Sequence, residues 1–268
     1  MIHRLKDLVG PLSFRMRPTG AGLNVEDANL ALRGGLQLRG NMSWRDSDRR
    51  TRFEGSLSAD NIGDVLRAWN YAPTLTSKRF AATTELEWPG SPAHFALKRS
   101  TGPLQLQARD GVLQSGESSA DALRVFGLLN FNALTRRLRL DFSDLFGKGT
   151  AYDTLDGDLL FTDGVMHNRT PLVMEGPAVK LQLDGRLDLP ENEIDMGMLV
   201  TLPVTNNLPL AAIIAGAPYI GGALFIADKI LGDRIARFAS VKYKISGDWQ
   251  KPNVEFDRAF DNEAALED

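Results

Sequence analysis

Residues Val179-Lys180-Leu181-Gln182-Leu183-Asp184-Gly185-Arg186-Leu187-Asp188-Leu189 alternate apolar and polar side chains almost without a break. A period of two builds a strand with one apolar and one wet face. The device recurs from about Asp27 to Phe256. Leu36, Leu38, Met42 and Trp44 alternate with Gln37, Arg39, Asn41 and Ser43, and Phe53, Leu57 and Ala59 with Arg52, Ser56 and Ser58. Phe80, Ala82, Leu86 and Trp88 face away from Arg79, Thr83, Glu85 and Glu87, and Leu104 and Leu106 from Gln105 and Gln107. Ile194, Met196, Met198 and Val200 continue the theme, as do Val241, Tyr243, Ile245 and Trp249. Many such strands make a long sheet whose apolar side must be covered, and few segments of this chain can supply helices to cover it.

Turn chemistry divides the strands. Pro89-Gly90-Ser91-Pro92 reads as a hairpin turn into a strand holding Ala93, Phe95 and Leu97. Asp110-Gly111 reads as a tight turn into Val112-Leu113, and Asp163-Gly164 as a turn into Val165-Met166. Leu36-Gln37-Leu38-Arg39-Gly40, Leu104-Gln105-Leu106-Gln107 and Leu181-Gln182-Leu183-Asp184-Gly185 resemble one another. They are either repeats of one hairpin unit or the ordinary look of an antiparallel meander.

Three segments leave the pattern. Ile62, Val65, Leu66 and Trp69 have helical spacing behind Asp60 or Asn61 as N-cap. Ser119 caps a second stretch, whose Leu123, Phe126, Leu129 and Phe131 form the stripe of an amphipathic helix at about 120–138. The third runs from Val204 to Ala227 without a charge. Pro209, Pro218 and Gly221-Gly222 break it as a single helix, so a hairpin of two short helices is expected at 207–231. Such a hairpin can dip into a membrane surface, plug the end of the sheet, or lie buried in a core.

Composition excludes several classes. A net charge of −3 implies no general attraction to nucleic acid. The absence of cysteine removes disulfides, thiolate metal sites and cysteine nucleophiles. Met1 to Gly10 is no secretion signal, because charges interrupt it, so the chain is either cytosolic or lacks its natural N-terminus. His3, His94 and His167 are isolated, with His94 expected on the polar side of a strand and His167 in a turn. No metal-ligand spacing, nucleophile elbow or phosphate loop occurs, so no catalytic residue, metal or cofactor is expected. The pairs Asp141/Asp144 and Asp156/Asp158 read as solvated or capping groups before acid–base pairs.

The run from Phe126 to Gly149, FGLLNFNALTRRLRLDFSDLFGKG, resembles the C-terminal region of YhdP-type AsmA-like proteins of Gram-negative bacteria, within the AsmA/TamB-like bridge-type lipid transfer superfamily. So do Phe161-Thr162-Asp163-Gly164, Met174-Glu175-Gly176-Pro177-Ala178, the apolar stretch from Pro203 to Lys229, and Tyr243-Lys244-Ile245-Ser246-Gly247-Asp248-Trp249-Gln250-Lys251-Pro252. The likeness runs in consistent order over about 119–256, whereas the part before Ser119 shares only the strand pattern. It implies a long periplasmic protein spanning from inner to outer membrane, anchored by an N-terminal helix, whose sheet curls into a lipid-lined groove. The chain departs from the family in length and lacks that anchor, so it reads as a C-terminal fragment or a truncated gene product.

The resulting expectation is a mainly β fold, a long curved antiparallel sheet forming a groove or open barrel. Residues 1–118 supply strands and one short helix. Residues 119–268 supply the helix at 120–138, strands at 150–201, the apolar hairpin and closing strands at 240–256. Leu36, Leu38, Trp44, Phe53, Phe80, Trp88, Leu104, Leu106, Leu181, Leu183, Leu187, Ile194 and Met196 are expected to line the groove and touch lipid tails, unless they form an ordinary closed core. Leu210, Ile213, Ile214, Tyr219, Ile220, Leu224 and Phe225 are expected to touch membrane. The expected function is non-enzymatic phospholipid transport between membranes, with phospholipid, a membrane surface and envelope proteins as partners. The alternative is a scaffold that offers sheet edges or its apolar face to envelope proteins during assembly.

Overall fold

The computed structural model describes residues 8–114, 149–204, 225–231, 234–249 and 252–257. They form one antiparallel sheet of 13 strands. The strands are β1 (Leu8–Thr19), β2 (Gly22–Leu32), β3 (Gln37–Arg45), β4 (Arg50–Ala59), β5 (Arg79–Pro89), β6 (Gly102–Leu113) and β7 (Thr150–Thr162). There follow β8 (Val165–Glu175), β9 (Lys180–Asp188), β10 (Glu193–Val204), β11 (Phe225–Leu231), β12 (Arg234–Asp248) and β13 (Asn253–Phe256). From β1 to β10 each strand pairs with the next in sequence. β12 lies beside β10, and its outer edge carries β11 along its first half and β13 along its second. Among the described residues β1 meets no strand on its outer side, so the sheet is not closed into a barrel.

Antiparallel pairing puts alternate connections at opposite strand ends. At one end lie the links β1–β2, β3–β4, β5–β6, β7–β8, β9–β10 and β12–β13. Asp163 and Gly164, with φ of 48° and 85°, make the two-residue turn that joins twisted strands best. Backbone bonds lace this end together. Gly90 N–H donates to Arg49 O (2.6 Å), Gly164 N–H to Ser100 O (2.9 Å), Leu189 N–H to Gly164 O (3.3 Å) and Trp249 N–H to Asn192 O (2.9 Å).

The opposite end holds helix α1 (Ile62–Ala68) between β4 and β5. Asn61 caps it, its Oδ1 accepting from Gly63 N–H at 2.9 Å. Ile62 and Val65 bury against Leu36 and Ala59. The loop from α1 to β5 is fixed by Leu75, which bridges Leu113, and by Tyr152, whose hydroxyl donates to Thr76 O at 2.5 Å.

Several expectations need correction. Residues 92–99 are not a strand: Pro92–His94 and Leu97–Arg99 are 3-10 turns, and His94 sits in the first of them. Asp110-Gly111 is no hairpin turn but lies inside β6, although Asp110 has φ 53°. His167 is an exposed residue of β8 opposite Leu160 and Arg186, not part of a turn. Phe225–Leu231, expected as the end of a helical hairpin, is strand β11. The remainder of that hairpin and the helix expected at 120–138 lie outside the described residues. Strand structure precedes the expected start of the pattern, since β1 and the first five residues of β2 come before Asp27. The junction between the two expected segments is crossed by one sheet, because β6 pairs along its length with β7.

Candidate functional site: an apolar sheet face

Register, not proximity in sequence, assembles the candidate site. One row runs Leu12–Leu30–Leu38–Leu57–Ala82–Leu106 through six successive strands. At about 4.8 Å per strand this row spans roughly 24 Å. A second runs Met16–Val25–Met42–Phe53–Leu86. A third runs Ala59–Phe80–Ala108–Leu155–Met174–Leu181–Val200. A fourth links Phe161, Met166, Leu187 and Ile194. All lie on the same face, so an apolar surface extends without interruption from β1 to β12.

That surface changes character along its length. On β7 to β10 it is sealed: Leu155, Phe161, Met174, Leu181, Leu187 and Val200 are buried, with Leu187 and Val200 at 0% exposure. On β1 it is open, with Leu12, Phe14 and Met16 exposed to 43%, 43% and 53%. Between these lies a graded zone where Leu38, Met42, Trp44, Phe53, Leu57, Leu104 and Leu106 are half-buried. Two paired glycines, Gly40 and Gly55, make the floor of this zone. The ring of Phe53 lies over them, since a Cβ on Gly55 would meet Phe53 Cζ at 2.5 Å and one on Gly40 would meet Cε2 at 2.9 Å. Trp44 brings its indole nitrogen to the same face, buried and without a hydrogen-bond partner.

The opposite face is wet and cross-linked by charge. Arg50 pairs with Glu87 (2.7 Å), Arg52 with Glu85, Arg109 with Asp156 (2.7 Å), Lys180 with Glu175 (2.6 Å) and Lys244 with Asp195 (3.6 Å). Exposed pairs of this kind add about 0–1 kcal/mol each. Their larger effect is to fix register, because a slip of one residue would turn charges onto the apolar side. Asp156 pairs with Arg109 of β6 (2.7 Å) and Asp158 with Arg169 of β8 (3.6 Å). Asp141 and Asp144 lie outside the described residues. No group of three metal-ligating side chains occurs among the described residues.

The structure places each expected groove residue on the apolar side, in three settings. Leu38, Trp44, Phe53, Phe80, Leu104 and Leu106 are half-buried. Trp88, Leu181, Leu183, Leu187, Ile194 and Met196 belong to the buried main cluster. Leu36 belongs instead to the cluster under α1. Sequence reading missed Leu12, Phe14, Met16 and Leu30, although their alternation with Ser13, Arg15 and Asn29 carries the same signal. Of the expected membrane residues, Phe225 opens β11, and Leu210, Ile213, Ile214, Tyr219, Ile220 and Leu224 lie outside the described residues. No helix among the described residues is long and apolar enough to cross a membrane.

A model of the YhdP protein family matches residues 4–254. The chain belongs to that family. The match takes in the N-terminal strands as well as the region whose motifs resembled YhdP-type proteins. A curated relative, the intermembrane phospholipid transporter YhdP of Escherichia coli (strain K12), is 25% identical over 240 residues. That alignment covers 87% of this chain and 19% of the E. coli protein, so the chain spans about a fifth of its relative's length. No solved structure matches. The described strands form an amphipathic antiparallel sheet whose apolar face is buried on β7 to β10 and exposed on β1.

Proposed function

We propose that this chain takes part in moving phospholipid between membranes, with the half-open apolar face of β1 to β6 holding the acyl chains. The reading is supported by family membership, by the E. coli relative's role as an intermembrane phospholipid transporter, and by the face itself. The observation that carries it is the graded zone, where Leu30, Leu38, Met42, Phe53, Leu57, Leu104 and Leu106 remain half-buried on a face that also holds the buried Val25, Ala82 and Leu86. An apolar face left in water costs about 25 cal/mol per Å². A hydrocarbon guest removes that cost without any polar contact, so it is held but can slide. The step is non-enzymatic, and its setting on this reading is the periplasm between inner and outer membranes. Leu210, Ile213, Ile214, Tyr219 and Ile220 are the proposed membrane contacts of the apolar segment.

Photo-crosslinkers at Leu38, Phe53 and Leu104, with Arg39, Glu54 and Gln105 as controls, test this. Phospholipid adducts at the first set alone are expected. Adducts at none of them in folded protein would end the reading. A second reading has its own observation: the outer edge of β1 is unpaired among the described residues and carries Leu12, Phe14 and Met16 exposed. Such an edge can accept a client strand of an envelope protein under assembly. Mass spectrometry of the purified chain separates the two, as co-purified phospholipid supports transport and a bound β-rich polypeptide without lipid supports assembly.

A further inference from the structure

The link between β5 and β6 is built unlike the other connections at its end of the sheet. No acidic residue lies between Trp88 and Thr101. Ala93, His94, Phe95, Lys98 and Arg99 are exposed, and Phe95 shows 43% of its surface to solvent. The loop is not slack. Trp88 Nε1–H donates to Ser91 O (3.3 Å), Ser91 Oγ and His94 Nδ1 share a hydrogen bond (2.8 Å), and Arg99 donates to His94 O (2.8 Å). Leu97 packs on the main core and Ser100 is fully buried. Phe95 stands edge-on to Trp88 at 5.0 Å between ring centroids. A stiff scaffold therefore holds a large apolar ring outward, backed by Trp88.

The charges around it choose the cover. Arg49 is tied to the loop through the Gly90 N–H to Arg49 O bond. Arg49, Lys98 and Arg99 make no ion pair among the described residues. Of the carboxylates on the neighbouring turns, Asp48 pairs with Arg45 (2.8 Å), Glu87 pairs with Arg50 (2.7 Å), Asp163 accepts from the Thr101 hydroxyl (3.3 Å), and exposed Asp46 makes no ion pair among the described residues. Free cations beside an outward aromatic are what an anionic phospholipid surface complements, with the ring entering the headgroup boundary and the cations meeting phosphates. We propose that the Ser91 to Arg99 loop, together with Arg49, docks this end of the sheet on an anionic bilayer surface. The loop lies at the end of the sheet opposite the one where β10 finishes. Docking there is compatible with the transport reading and does not depend on the face carrying acyl chains.

The test uses the full chain and co-sedimentation with vesicles of phosphatidylcholine alone or mixed with phosphatidylglycerol. Wild type is expected to bind the mixed vesicles and to lose binding as salt rises. The double variant K98E/R99E should lower partition to mixed vesicles about tenfold, and F95S should lower it toward that level while keeping an unchanged circular-dichroism spectrum and melting temperature. No binding by wild type, or equal binding by wild type and both variants, would overturn the proposal. So would loss of co-purified phospholipid from K98E/R99E with vesicle binding intact, which would assign the cations to a guest headgroup. Cross-linking from Leu38 and Phe53 reads the acyl-chain face separately, so failure of one idea leaves the other standing.

Discussion

Tyr152 ties β7 to the loop before β5 through one hydroxyl. The ring is buried and the phenol donates to Thr76 O. Burial pushes its pKa above the ordinary value, with Arg109 opposing and Asp110 adding to the rise. The folded-state value thus exceeds the unfolded one, which is about 10. The stabilisation it gives is complete below about pH 10 and is lost as pH rises through the folded value. Y152F should cost about 1 kcal/mol at neutral pH and flatten the alkaline decline, as urea unfolding midpoints at neutral and alkaline pH would show. Gly111 beside it has no room for a side chain, because a Cβ would overlap Thr76 O and Tyr152 Oη. G111A should therefore cost about 2–3 kcal/mol, readable in the same urea titration, although a glycine to alanine change inside a strand is otherwise benign.

At the scale of elements, the sequence made the strands visible because their apolar positions recur at the period of the pleat. It made α1 visible through Asn61 and the spacing of Ile62, Val65 and Leu66. N61A should remove about 1 kcal/mol, measured by the midpoint of denaturation, because Gly63 N–H then loses its acceptor. Two misreadings share a cause. Asp110-Gly111 and Asp163-Gly164 are the same dipeptide, and Asp has positive φ in both. Asp163-Gly164 turns because long strands flank it on both sides. Asp110-Gly111 does not, because Thr76 bonds Val112 across the strand and holds it straight (Thr76 N–H to Val112 O, 3.0 Å). Ala93, Phe95 and Leu97 copied a strand's alternation, but β6 takes the place beside β5 and leaves them no ladder to join. Local pattern cannot report which segment wins a neighbour.

For the whole molecule, alternation told which side chains share a face but not where that face is sealed, since Leu38 and Leu187 are written in the same code. The difference is measurable. L187E puts a charge at a fully buried position and should abolish folding. L38E, at a half-buried position, should leave a folded chain that retains less phospholipid on purification, as lipid mass spectrometry would show. L187A should cost about 3 kcal/mol while L38A costs markedly less, both by urea denaturation.

The placement of β11 and β13 side by side on the far edge of β12 has a consequence for growth. Each hairpin between β1 and β10 clasps only its sequence neighbours, so hairpins can be inserted or deleted in whole units without rethreading the rest. The β12 margin is already occupied by the protein's own short strands. A lineage of such proteins can change its reach at one margin and keep the other as a fixed terminus.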